Sequence, residues 1–124
     1  MFEALFIMLL LQIKHYYADF VIQTYAQTVR KGIYRDPVGI SHTLDHIIGS
    51  LVVLFLASLF IPMSLPLMVI LCFIEGVIHY HIDWTKVHFG CKDNTKPLFW
   101  NQFGLDQLAH QVTYLAMIPL LIVA

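Results

Sequence analysis

Four pairs of ionisable residues recur at one spacing along the chain: His15/Asp19, His42/His46, His79/Asp83 and Asp106/His110. An i, i+4 separation places both members of a pair on one face of a helix, about one turn apart. Imidazole and carboxylate are the donors that bind Zn, Fe, Mn or Ni, and two such groups on one turn can share an ion. Glu75 extends the third pair, because Glu75, His79 and Asp83 fall at i, i+4, i+8. Gln23 extends the first pair in the same way.

The elements that carry these pairs are apolar. The 124-residue chain is 59% hydrophobic and only 12% charged, and its mean hydropathy is +0.74. Soluble domains hold about 45–50% apolar and about 25% charged residues. Four segments approach the roughly 20 residues that cross a bilayer. They lie at about 2–23, 42–61, 65–84 and 103–124. The expected fold is therefore all-α, a single integral membrane domain over 1–124 with four transmembrane helices in an up-down bundle. The first segment lacks a basic leader and a small-residue cleavage site, so it reads as a retained helix and not a signal peptide. Ser41 is the expected N-cap of the second helix, with Asp45 in its first turns. Pro62-Met-Ser-Leu-Pro66 is a hairpin between spans, and Pro119 is a candidate kink.

Basic residues set an orientation. Arg30, Lys31 and Arg35 follow the first segment, and Lys86, Lys92 and Lys96 follow the third, which puts six of the seven Lys and Arg on one side. The positive-inside rule then makes that side cytoplasmic and both termini non-cytoplasmic, in a multi-pass protein of a bacterial inner membrane. Trp84 and Trp100 flank the second long loop, as interfacial aromatics do. A net charge of −1 with no basic, aromatic-interleaved patch gives no sign of nucleic-acid binding. Cys72 and Cys91 lack CxxC spacing and read as free thiols.

With alternating spans, the pairs at the C-terminal ends of helices one and three meet those at the N-terminal ends of helices two and four. All four then lie at one depth, in the cytoplasmic half of the bilayer. Ionisable groups at that depth are costly and usually face a bundle interior. The expected metal ligands are His15, Asp19, His42, His46, His79, Asp83 and His110. Asp106 and Glu75 are the candidate catalytic bases, and Gln23, Lys86 and Gln107 the candidate substrate contacts. Two other accounts compete: a metal-free network of mutually satisfied His and Asp, and a water-filled pathway. His81, His88, Tyr16 and Tyr17 read as interfacial residues.

The motifs His15-x3-Asp19-Phe20-x2-Gln23, His42 with His46, His79-x3-Asp83-x2-Lys86 and Asp106-Gln107-x2-His110 together resemble a family of small bacterial and phage membrane proteins of unknown function. The resemblance covers nearly the whole chain. It implies a membrane protein able to carry a metal, distantly similar to membrane-bound metal-dependent hydrolases. Glu75, His81 and His88 stand outside the pattern. The expected function is a metal-dependent hydrolase within the membrane, acting on a lipid-linked or amphipathic substrate, phosphorylated or not, at the cytoplasmic leaflet. Zn is the first choice of metal, with Fe or Mn the alternatives. The alternative functions are a structural or regulatory membrane protein with a metal or His/Asp lock, and an ion or proton transporter. The partner is the lipid bilayer, with a homo-oligomer left open.

Overall fold

A computed structural model describes residues 1–123. All its regular elements are helical, with no strand among the described residues. Helix α1 covers Phe2–Tyr16 and runs on through a π-helical turn, Tyr17–Val21. A short helix α2, Tyr25–Arg30, follows, and then the long helices α3 (Pro37–Ser58), α4 (Leu65–Phe89) and α5 (Pro97–Val123).

Three of these stretches, Phe2–Val21, Pro37–Ser58 and Leu65–Phe89, are long and apolar enough to cross a membrane. Helix α5 is longer than any of them at 27 residues. Its first half, however, carries Asn101, Gln102, Asp106, Gln107, His110 and Gln111, and this polarity keeps it out of that set. Large apolar side chains such as Leu9, Ile48, Phe73 and Leu115 point outward and stay more than half exposed. An apolar exterior of this extent suits lipid better than water.

The helix boundaries differ from the expected ones for identifiable reasons. Helix α3 begins at Pro37, not near His42, because Asp36-Pro37 is a stronger start than Ser41. Asp36 Oδ1 accepts the backbone N–H groups of Val38 and Gly39 (2.9 and 3.3 Å), and Pro37 sits where no amide hydrogen is needed. Ser41 instead donates to the Val38 carbonyl. Helix α4 continues past Trp84 to Phe89, where the Gly90 N–H closes on the Lys86 carbonyl. His88 is thus helical, not in a loop, and its Nδ1 lies 3.1 Å from the Gly32 carbonyl oxygen. Helix α5 likewise starts at Pro97 and not near Phe103. Inside the stretch read as loop, Thr24 and Gln27 form a reciprocal capping box that starts α2.

Helix α3 packs on α1 and α4, α5 packs on α1 and α4, and α2 lies against α3. The interior divides into two layers. One is apolar, built from Ile7, Leu11, Leu54, Met68, Ile118 and Leu121. The other is polar and holds the motif residues of all four long helices. Gly39 lets α3 come close to the end of α2: a Cβ there would lie 2.9 Å from Lys31 Cα and 3.1 Å from the Arg30 carbonyl oxygen. Both obstacles are backbone, so neither yields cheaply. Gly39→Ala is expected to lower stability by about 1–3 kcal/mol, the usual cost of forcing an extra methyl into a packed contact. A thermal melt of the detergent-solubilised protein checks this.

Candidate metal centre

The eight paired residues meet. His15, Asp19, His42, His46, His79, Asp83, Asp106 and His110 are all buried, with His42 and His46 at 0% exposure and His79 and His110 at 1%. The Nε2 atoms of five imidazoles converge on two carboxylates. Around Asp19 they lie at 2.8 Å (His46), 3.0 Å (His15) and 3.2 Å (His42). Around Asp83 they lie at 3.2 Å (His79), 3.2 Å (His110) and 3.3 Å (His42). Asp19 comes from the π-helical turn, a distortion that recurs at functional sites because it re-aims a side chain within an otherwise regular helix.

Two sets of donors are close enough to hold an ion. Asp19, His42, His46 and His79 each offer one ligand atom, and these atoms all lie within 4.8 Å of one another. His79, Asp83 and His110 form a second set by the same measure, so His79 belongs to both. His15 and Asp106 stand outside both sets. All four ring nitrogens of His42 and His79 are buried without a hydrogen bond, although their Nε2 atoms face carboxylate oxygens. Burying an unpartnered polar group costs roughly 1–3 kcal/mol, so orphaned nitrogens beside carboxylates fit a cation between them. Asp19, Glu75, Asp83 and Asp106 supply four carboxylates; Lys14, Lys31 and Lys86 pair with the last three, and Asp19 is surrounded by His15, His42 and His46.

Other side chains orient the donors. His15 Nε2 lies 3.0 Å from both Gln107 Oε1 and Asp19 Oδ2, two acceptors, so that nitrogen carries the proton. Its Nδ1 then accepts from Tyr114 Oη at 2.9 Å, and Tyr114 accepts from Lys14 Nζ at 2.9 Å. Lys14 also approaches His46 Nδ1 (3.4 Å) and Glu75 Oε1 (3.5 Å). Ser50 Oγ donates to Glu75 Oε2 at 3.0 Å. At the other end of the cluster, Lys31 Nζ donates to Asp83 Oδ2 at 3.1 Å. Burial pushes the Lys31 ammonium down, but the Asp83, Asp19 and Asp106 carboxylates more than offset this and hold it above the ordinary lysine value.

The cluster opens on one side into a cleft of about 870 Å³. Asp19, Asp106 and Gln107 line it, and so do Gln23, Lys31 and Lys86. Gln107 Nε2 donates to Asp106 Oδ2 at 3.1 Å, whereas Asp106 Oδ1 has no hydrogen-bond partner. Lys86 Nζ lies 3.5 Å from Asp106 Oδ2 and 4.5 Å above the Phe103 ring. Gln23 lies beyond the π-helical turn, where its side chain donates to the Asp19 carbonyl. Glu75 does not reach the cleft; it sits behind the cluster with Lys14 and Ser50.

A family model matches residues 5–124. The chain belongs to the family of proteins of unknown function DUF3307. No curated protein and no solved structure matches it. The family description names no reaction, so the chemistry of this DUF3307 chain rests on the geometry above.

Four participants went unread in the sequence. Ser50 and Tyr114 continue the i, i+4 ladders His42/His46/Ser50 and Asp106/His110/Tyr114, and that spacing was the available signal. Lys14 was visible as the one basic residue inside a span, and a buried ammonium requires a partner. Lys31 had no local signal, since it lies 52 residues from Asp83. Asp45, read as a helix-start residue, accepts from Gln27 Nε2 and ties α2 to α3. His81 is exposed and bonded to its own helix.

The Lys14–Glu75 pair yields a test. Breaking a buried ion pair from one side costs about 3–5 kcal/mol, whereas replacing both members by apolar residues is often near neutral. Glu75→Leu is therefore expected to destabilise the protein far more than the Lys14→Met/Glu75→Leu double variant. Chemical denaturation of the four-member cycle in detergent measures the difference.

Proposed function

We propose that the chain is a metal-dependent hydrolase with four membrane spans and both termini on the non-cytoplasmic side. Its substrate is a lipid-linked or amphipathic molecule, with phosphate the favoured headgroup, taken at the cytoplasmic leaflet. The observation that carries this reading is the pairing of orphaned His42 and His79 nitrogens with an adjoining cleft that bears both acids and lysines. A purely structural metal needs no such opening.

Imidazole and carboxylate donors without a nearby thiolate suit Zn, with Fe or Mn as alternatives, and Cys72 and Cys91 are absent from both donor sets. A divalent ion bound by these donors would lower the pKa of a coordinated water towards neutrality and polarise a phosphoryl or acyl oxygen. The protein's own groups supply the rest. Asp106 lines the cleft with its Oδ2 held by Gln107 and Lys86, a position from which the carboxylate can accept a proton from an attacking water. Lys86 and Lys31 line the same cleft and can hold an anionic group. Gln107 bridges Asp19 and Asp106 and fixes their relative positions. Glu75, sited behind the cluster, acts in this reading by holding Lys14. The fourth span is α5, whose first half buries Asp106 and His110 against the other helices while its second half is apolar. The six basic residues outside the first span support the orientation.

A second reading is a His/Asp lock that only holds the helices together. It is favoured by hydrogen-bond distances already present between His46 and Asp19 and between His110 and Asp83. Conduction is disfavoured, because the polar layer gives way to a closed apolar one containing Ile7, Leu11 and Leu54.

Purified protein is expected to retain a divalent metal. His79→Ala, which removes a donor from both sets, should lower the bound metal at least ten-fold by elemental analysis, whereas His81→Ala leaves it unchanged. Asp106→Asn should keep the metal but cut phosphate release from an anionic lipid by roughly 10²–10⁴-fold, the usual contribution of a positioned base. Release that persists in chelator would exclude a metal-dependent reaction, and no release from metal-loaded wild-type protein would exclude the hydrolase and leave the lock.

A further inference from the structure

A second depression, of about 640 Å³, runs between α4 and α5. Its walls are mainly apolar and include Val77, Ile78, Ile82, Leu105 and Ala109. It is separate from the cleft over the metal centre, yet Lys86 and Asp106 line both. From Val77 to Lys86 it follows roughly 14 Å of helix at 1.5 Å per residue, and it runs on to Phe89. One leaflet's share of the hydrocarbon core is about 15 Å deep. The groove therefore has the length of a single acyl chain's leaflet, with its polar end at Lys86.

We infer that the α4/α5 groove holds the hydrocarbon chain of an anionic phospholipid whose phosphate reaches past Lys86 into the cleft. This deepens the lipid-linked reading above and rests on it. Charge complementarity selects the occupant. The wall shared with the cleft carries Lys86, and Lys31 and Lys92 line the cleft beyond it. A zwitterionic lipid gains less there than a phosphate monoester does, because its own cation competes. Lys86 lies 3.5 Å from Asp106 and over the Phe103 ring and is part-exposed, so an arriving phosphate can take it over. Releasing Lys86 leaves Asp106 Oδ2 with Gln107 as its remaining partner at the junction of groove and cleft. Val77, Ile78 and Leu105 are 44%, 40% and 58% exposed, which leaves the groove open along its side to molecules in the same leaflet. A third depression, between α1 and α3, is also apolar, with Ile13, Ile48 and Val52 in its walls. It shares no lining residue with the cleft and serves as an internal control.

The test uses the full chain in phosphatidylcholine nanodiscs that carry a small fraction of diazirine-chain phosphatidic acid or, separately, diazirine-chain phosphatidylcholine. After brief illumination on ice, adducts are mapped by peptide mass spectrometry. Phosphatidic acid is expected to label the α4/α5 groove at least five-fold more than phosphatidylcholine does, with no such excess between α1 and α3. Ala109→Trp and Ile78→Trp, which fill the groove from opposite walls, should each abolish the excess. Unchanged metal content and elution volume show which of the two remains folded. Lys86→Met should reduce the excess at least three-fold. Equal labelling by the two lipids, or an excess that survives a folded filled-groove variant, overturns the inference. Labelling does not depend on turnover, so an inert but selectively labelled protein would reject the hydrolase and keep the groove.

Discussion

Two buried carboxylates, Asp19 and Asp83, impose the constraint that the rest of the molecule answers. An ionised carboxylate in an apolar surround is affordable only with partners and hydrogen bonds. Five imidazoles crowd around the two, and Lys31 reaches in from the end of α2 to bind Asp83. Because these partners come from every long helix, the polar layer sets how the helices sit against one another. Apolar packing is non-directional and would tolerate other rotations and heights; converging charges do not.

The polar layer is also graded. On the cleft side, Asp106, Gln107 and Lys86 line the opening. On the opposite side, Lys14, Glu75, Ser50 and Tyr114 close the cluster with hydrogen bonds before the apolar layer begins. The stem of Lys14 passes Gly49, where a Cβ would lie only 2.8 Å from Lys14 Cγ, so a bare backbone on α3 makes room for it. The arrangement is thus open on the cleft side and closed towards the apolar layer. That suits chemistry on a molecule arriving at an interface and does not suit passage through the protein.

Much of the site was legible from spacing. A pair at i, i+4 must share a helical face whatever the fold, so His15/Asp19, His42/His46, His79/Asp83 and Asp106/His110 were identifiable before any packing was known. The near absence of charge over the remaining apolar stretches fixed which helix ends had to be neighbours. The ladders ending in Ser50 and Tyr114 have the same spacing, but a hydroxyl in an apolar helix is inexpensive and common and marks no site by itself. The boundaries near Pro37, Phe89 and Pro97 were less accessible. Hydropathy fades towards helix ends, and there caps, not apolar runs, decide where a helix begins.

By itself, then, the sequence determined the helical class, the outward apolar faces and which histidines and acids share a helical face. Each of these follows from periodicity along a single helix. Only the tertiary structure decided that Asp19 and Asp83 are the two centres of convergence, that His79 stands between them, and that Glu75 lies behind the cluster while Asp106 faces the cleft. It also decided that Lys31 crosses 52 residues of chain to reach Asp83 and that a π-helical turn presents Asp19. These depend on the rotation and height of one helix against another. Local propensity is indifferent to both, and the mutual satisfaction of buried charges sets them.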